Sequence, residues 1–187
     1  MAGSDSEVIA ASLVDGEVFL AIFERHFASI HGYLRRRLGR DGAEDLAADV
    51  FATAFARRAS FDLARADALP WLYGIATNLL RNHLRLEERQ LRSLAEANAV
   101  SIASDQGPLG ALLRSSLEPV LAQALLALSP QDRDVLLLFA WGELGYEEIS
   151  WALGLPVGTI KSRLNRARSR VRDALLAATE TKEASHG

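Results

Sequence analysis

Tyr146-Glu147-Glu148-Ile149-Ser150-Trp151-Ala152-Leu153-Gly154-Leu155-Pro156-Val157-Gly158-Thr159-Ile160-Lys161-Ser162-Arg163-Leu164-Asn165-Arg166-Ala167-Arg168-Ser169-Arg170-Val171 is the stretch whose reading decides the fold. It begins as a short helix with acidic residues in its opening turn, where the positive end of the helix dipole favours them. Gly154-Leu155-Pro156 stops that helix in a tight turn, and Val157-Gly158-Thr159-Ile160 opens the next one. Two short helices joined by a glycine-containing turn make a helix-turn-helix unit, whose second helix enters the major groove of duplex DNA.

The second helix has the chemistry for that role. It carries Lys161, Arg163, Arg166, Arg168, Arg170 and Arg172 against one nearby acid, Asp173. Ile160, Leu164, Ala167 and Val171 keep helical spacing and belong to the core face. Lys161, Ser162, Asn165 and Arg166 then point outward near the N-terminal end, which a recognition helix presents to base edges. Arginine can read guanine with two hydrogen bonds, asparagine suits adenine, and serine bonds to either base or phosphate. The candidate contacts are thus Lys161, Ser162, Arg163, Asn165, Arg166, Arg168 and Arg170. Arg168, Arg170 and Arg172 lie farther along and suit phosphates, which position without specifying sequence. A solvated basic helix is the rival reading, and the turn and matching first helix before it argue for DNA.

Upstream, Ser129-Pro130-Gln131-Asp132 reads as an N-cap, a proline at the first helical position and an acidic residue at the third, a relative of the capping box. The helix it starts runs through Trp141 and ends at Gly142. Before it, Leu117, Leu121, Ala124, Leu125 and Leu128 form one apolar stripe. Ser101-Ile102-Ala103-Ser104-Asp105-Gln106-Gly107-Pro108-Leu109-Gly110 has linker composition. A boundary here, with residues 96–116 as linker, separates two small helical domains, 18–95 and 117–178, flanked by tails at 1–17 and 179–187. A surface loop inside one domain is the alternative, although long structureless loops are uncommon in compact domains.

The N-terminal half is helical as well. Phe19, Ile22, Phe23, Phe27, Ile30, Leu34 and Leu38 step by three or four, which predicts an amphipathic helix over roughly 16–38, with Gly39 and Gly42 punctuating its end. A second helix starts near Ala43 and places Leu46, Val50, Phe51, Ala54 and Phe55 on one face. Ala59 to Asp67 breaks the periodicity and reads as a loop. Pro70 suits an early helical position, and Trp71, Leu72, Ile75, Ala76, Leu79, Leu80, His83 and Leu84 continue a third helix to about Arg92. That helix interleaves Trp71 and Tyr73 with Asn78, Arg81, Asn82, His83 and Arg85, a pattern suited to unpaired bases, since rings stack and cations track the backbone. Core packing plus a solvated face explains the same residues equally well. Arg35-Arg36-Arg37 reads first as a solvated helix end.

Composition narrows the field. The chain has 187 residues, 49% of them hydrophobic, so two modest cores are within reach. A formal net charge of -3 places any nucleic-acid contact on local basic patches. The absence of cysteine excludes disulfides and thiolate metal sites and fits a reducing compartment. Met1 to Glu7 has no basic region followed by an apolar run, so no secretory signal is visible. The run Val135 to Trp141 is far too short to span a bilayer. A soluble cytoplasmic protein is the expectation. His26, His31, His83 and His186 are scattered, and no phosphate-binding loop or other enzyme motif is present, so no metal, cofactor or catalytic residue is expected. The fold class read from all this is all-α.

These pieces together resemble the sigma-70 family of RNA polymerase sigma factors, specifically its extracytoplasmic-function (ECF) members. Asp45-Leu46-Ala47-Ala48-Asp49-Val50-Phe51 is similar to region 2.2. Pro70-Trp71-Leu72-Tyr73-Gly74-Ile75-Ala76-Thr77-Asn78-Leu79-Leu80-Arg81-Asn82 looks like regions 2.3 and 2.4. Leu128 to Leu136 and Gly158 to Arg168 look like region 4. The resemblance covers about 18–92 and 117–177. Ala48 departs from it, standing where the family usually has glutamine.

The resemblance implies an alternative sigma factor that binds core RNA polymerase, through the clamp helices of the largest subunit and the flap region, and directs it to promoter DNA. Asp45, Asp49 and Phe51 would lie at or behind the polymerase-docking surface. The loop from Ser60 to Ala68, including Phe61 and Asp62, with Trp71, Asn78, Arg81, Asn82 and Arg85 nearby, would melt the -10 element and capture a flipped base. The recognition helix would read the -35 element, and an anti-sigma factor would be a partner. A helix-turn-helix regulator that binds duplex DNA without polymerase shares the C-terminal helix and is the alternative.

Overall fold

The computed structural model describes residues 3–98 and 119–184. Most of the expected linker, the Leu117 of the apolar stripe and the last residues of the C-terminal tail lie outside the described residues. Most of the described residues are helical, and with no strand among them the fold is all-α, as expected. The helices are α1 (Asp5–Ser12), α2 (Leu20–Leu38), α3 (Arg40–Arg57), α4 (Leu69–Asn98), α5 (Pro119–Leu126), α6 (Pro130–Ala140), α7 (Tyr146–Leu153) and α8 (Val157–Ala184). The described residues fall into two compact units, the division running through α4 after His83 and through α7 after Ser150.

The first unit is built around α2 and α3. The buried residues Ile22, Ile30, Tyr33, Leu34 and Leu38 of α2 share one face by their spacing, as do Leu46, Ala47, Val50, Phe51 and Ala54 of α3. These helices pack against each other. Between them lies a cluster of rings: Phe23 is 4.8 Å from Phe27 and 4.9 Å from Phe51, centroid to centroid. Fully burying such a ring, as at Phe51, contributes roughly 1.5–3 kcal/mol. α4 joins through Tyr73, whose ring meets Tyr33 edge-on at 5.2 Å.

Several boundaries differ from the periodicity. The helix expected over 16–38 opens with a tighter 3-10 turn, Gly16–Phe19, capped by the Asp15 carboxylate, which accepts from the Glu17 amide at 3.1 Å. α3 begins at Arg40 rather than near Ala43, so Gly42 lies inside a helix and only Gly39, at φ 79°, breaks the chain. α4 extends past Arg92 to Asn98. Arg37, read as part of a solvated helix end, is buried instead, and its Nη1 donates to the Tyr33 hydroxyl at 2.9 Å. Its register explains this, since 30, 33, 34, 37 and 38 fall on the core face of α2.

Residues 5–12, which the hydrophobic pattern left in a tail, form α1. Ser4 and Glu7 make a capping box: the Glu7 amide donates to Ser4 Oγ at 3.3 Å and the Ser4 amide to Glu7 Oε2 at 2.7 Å.

In the second unit, α8 packs against α5 and α6. The Ser129 cap on α6 forms as the sequence predicts, with Pro130 in the first turn and the Asp132 amide donating to Ser129 Oγ at 3.1 Å. Arg133 closes the end of α5. Its Nε donates to the Leu125 carbonyl at 2.8 Å, and its Nη2 donates to those of Leu126 and Leu128 at 2.9 and 3.0 Å. Helix ends leave such carbonyls without intrahelical partners, and a buried guanidinium suits them. No helix among the described residues is long and apolar enough to cross a membrane.

Candidate nucleic-acid interface

The turn between α7 and α8 sets the angle of the basic helix. Gly154 sits at φ 64°, a conformation glycine adopts without the penalty of a Cβ. The Leu155 amide donates to the Ser150 carbonyl at 3.0 Å, and the Ser150 hydroxyl returns a bond to the Leu155 carbonyl. The Pro156 carbonyl then accepts from Thr159 and Ile160 at 2.8 and 3.1 Å, starting α8.

On α8, Ile160, Leu164 and Ala167 are buried, and Val171 is partly so. Lys161, Ser162, Asn165, Arg166, Arg168, Arg170 and Arg172 are exposed, while Arg163 is half-buried. All the candidate contacts but Arg163, which flanks the core face, thus lie on the solvent side of one helix. Three of them have partners that periodicity did not reveal. Arg166 Nη1 lies 3.4 Å from Oδ2 of Asp132, whose carboxylate is 3% exposed in the first turn of α6. The Arg168 guanidinium lies 4.4 Å from the centre of the Phe139 ring, and Lys161 Nζ lies 5.8 Å from that of Tyr146. A cation over an aromatic face is attracted to it, modestly at exposed sites.

The second candidate surface is on α4 and the loop before it. Asn78, Asn82 and Arg85 of α4 are exposed, Arg81 and Trp71 partly so. Residues 71, 78, 82 and 85 fall on one side of the helix by their spacing. The loop before α4 carries Phe61, whose ring meets Trp71 edge-on at 5.2 Å. Asp62 is exposed, accepts from the Ala64 amide at 3.1 Å, and faces Arg65 at 3.6 Å. An exposed pair of that kind contributes little.

This loop is held by residues that the sequence reading did not single out. Asp5 of α1 is buried. Its carboxylate accepts from Arg25 Nη1 at 2.8 Å and from the Ala68 amide at 2.9 Å, and lies 2.6 Å from His26 Nε2. Burial alone raises the pKa of this carboxyl. The hydrogen bonds from Ala68, Arg25 and His26, with the charge of His26, outweigh that and hold it below the usual carboxylate value. Asp5, His26 and Asp67 bring one ligand atom each within 4.8 Å of one another. Asp5 is engaged by protein donors, and Asp67 Oδ1 accepts from the Leu69 amide at 2.8 Å, so the group is a hydrogen-bonded knot around the loop. The signal that could have found it is the Ser4-to-Glu7 capping box, which marks a helix start.

On α3, Asp45 and Asp49 are exposed one turn apart, with Ala48 exposed beside them. Phe51 is buried against Phe23 and Phe27, so it lies behind that surface.

Comparison with known proteins places the same two segments. The family profile described as Sigma-70 region 2 matches residues 22–90, and that described as Sigma-70, region 4 matches 120–171. The ECF RNA polymerase sigma factor SigW of Bacillus subtilis is 31% identical over 170 residues, covering 86% of this chain and 90% of that protein. Among solved structures, CnrH in complex with the cytosolic domain of CnrY aligns with a TM-score of 0.64 at 24% identity, over 93% of this chain and 97% of that one. The sigma factor RpoE in complex with the anti-sigma factor NepR from Bartonella quintana aligns with a TM-score of 0.60 at 24% identity, over 84% of this chain and 96% of that one.

Proposed function

The chain belongs to the extracytoplasmic-function group of the sigma-70 family, and from that premise we propose a division of labour between its two units. The protein is a sigma factor: it binds core RNA polymerase and directs promoter-specific initiation. Sigma factors are initiation factors rather than enzymes. In the proposed division, residues 117–178 read the -35 element as duplex and residues 18–95 dock on polymerase and melt the -10 element.

The observation that carries this reading is the outward row Lys161, Ser162, Asn165 and Arg166 at the start of a helix whose opposite face is core. Arg166 and Asn165 supply base-edge contacts, and Arg163, Arg168 and Arg170 phosphate contacts. Phe61, Asp62, Trp71, Asn78, Arg81, Asn82 and Arg85 serve the melted -10 strand. There a captured base offsets an unstacking cost of a few kcal/mol. Asp45 and Asp49 face polymerase, and Phe51 supports them from behind. The reading includes cytoplasmic action and an anti-sigma partner. The latter is supported by the relative RpoE having been solved with NepR.

The test is to mix the purified chain with core RNA polymerase and map transcripts on genomic DNA. Defined start sites that core alone does not use support the reading, and their aligned upstream sequences yield both elements. A chain that binds duplex DNA but neither binds core nor alters initiation would instead be a helix-turn-helix regulator. Within the test, Asp49→Arg lowers core affinity while leaving α5 to α8 folded, and normal core affinity in that variant would refute the docking assignment.

A further inference from the structure

Helix α1 touches the C-terminal end of the loop 61–68 and the turn that leads into its other end. At its first residue, the Asp5 amide donates to the Ala66 carbonyl at 3.0 Å and the Asp5 carboxylate accepts from the Ala68 amide at 2.9 Å. At its last residue, the Ser12 carbonyl accepts from Arg58 Nε at 3.2 Å. Arg58 belongs to the 3-10 turn, Arg58–Ser60, that leads into the loop, and its Nη1 also donates to the Phe55 carbonyl at 2.7 Å. Asp5, Ile9 and Ser12 are the buried residues of α1, spaced as one helical face. That face thus carries one apolar residue, Ile9, between Asp5, whose carboxylate bonds to the loop, and Ser12, whose main-chain carbonyl bonds to the turn before it.

One carboxylate joins α2 to the loop. Arg25 and His26 of α2 hold the Asp5 carboxylate, and Asp5 in turn holds the loop. The middle of the loop, Asp62 to Asp67, is left exposed. A loop that must order itself on binding loses affinity to the entropy of ordering, and one already held does not.

We propose that α1 is a brace for the -10 loop, with Asp5 and Arg58 as positioning residues for promoter melting. This rests on the reading of the loop as the segment that meets the melted -10 strand. The brace presets the loop, so that strand capture draws less on the binding energy. Its loss slows opening without weakening polymerase docking or -35 binding.

The experiment uses full-length protein assembled with core RNA polymerase, on a promoter that the complex is shown to use. Open-complex formation, affinity for the single-stranded non-template -10 oligonucleotide, affinity for a -35 duplex and affinity for core are measured in parallel. Asp5→Ala lowers open complexes and single-strand affinity by about tenfold, near what loss of a hydrogen bond to a charged group produces. Core and -35 affinities stay within about twofold, the range expected of untouched sites. Asp5→Asn, which keeps an acceptor for the Ala68 amide, recovers part of the loss. Arg58→Met, which releases the other end, reproduces it if Asp5→Ala fails to fold. Leu63→Ser at the exposed middle of the loop separates the brace from the reading beneath it. If Leu63→Ser lowers single-strand affinity while folded Asp5→Ala and Arg58→Met leave it unchanged, the brace is refuted and the loop reading stands. If none of the three changes it, the loop reading itself fails. Parallel loss of core and -35 binding in Asp5→Ala and Arg58→Met would mark general unfolding and likewise refute the brace.

Discussion

Helix α8 and the loop 61–68 are held in opposite ways. The bonds that fix the turn before α8 span three to five residues, from Gly154 to Trp151 and between Leu155 and Ser150, and all the outward candidates ride on one continuous helix. The bonds that fix the loop span 46 and 63 residues, from Arg58 to Ser12 and from Ala68 to Asp5. The first surface is therefore specified by its own sequence, and the second only when α1, α2 and α4 have come together. A rigid helix suits a duplex whose groove is already formed, while a surface assembled from several segments suits a strand that must be drawn out and enclosed.

The largest effect expected from breaking this contrast is in the core face of α8. Leu164→Ala removes a buried side chain and should cost about 2–5 kcal/mol. In thermal unfolding followed by circular dichroism, helix from the second unit should melt early, while affinity for core RNA polymerase survives. An unchanged melt would show that α8 does not depend on this packing. Next comes Arg166→Ala, at about 1–3 kcal/mol of promoter binding if the side chain reads a base. The preference at one -35 position should relax, whereas an equal loss on every promoter would make it a phosphate contact.

Two caps then compare the units directly. Ser129→Ala and Ser4→Ala each remove an N-cap worth about 1 kcal/mol. Amide hydrogen exchange should quicken across α6 in the first variant. In the second it should quicken in α1 and at the Ala68 amide. Unaltered exchange at Ala68 would uncouple α1 from the loop.

The smallest effect is acid sensitivity. The Asp5 carboxyl titrates below its ordinary value of 3.8, so its contribution is present above that value and fades as pH falls through the lowered one. Protection of the Ala68 amide should fade over the same acid range in the natural protein and be flat with pH in Asp5→Asn. A pH profile identical in both would place the titration elsewhere.

The same contrast explains what could be read from the sequence. Spacing at Ile160, Leu164 and Ala167, the cap at Ser129 and the stop at Gly154 each report a local event, and each element formed as read. Spacing also placed Leu34 and Leu38 inward, and applied one residue at a time it would have buried Arg37 as well. The charge of that residue hid its position. α1 escaped because its inward face holds one apolar residue, too few for periodicity to register, although Ser4 and Glu7 announced its start. The links from Asp5 to Ala68 and from Asp132 to Arg166 join segments far apart in the chain, and no pattern within either segment encodes them.

The division of labour is tested most directly by titrating the complex with core RNA polymerase against two probes of one promoter, a -35 duplex and a single-stranded -10 oligonucleotide. Arg166→Ala should weaken the duplex probe alone, and a combined Asn82→Ala and Arg85→Ala variant the single-stranded probe alone. If either variant weakens both probes equally, or neither probe responds, the assignment of one element to each unit is wrong.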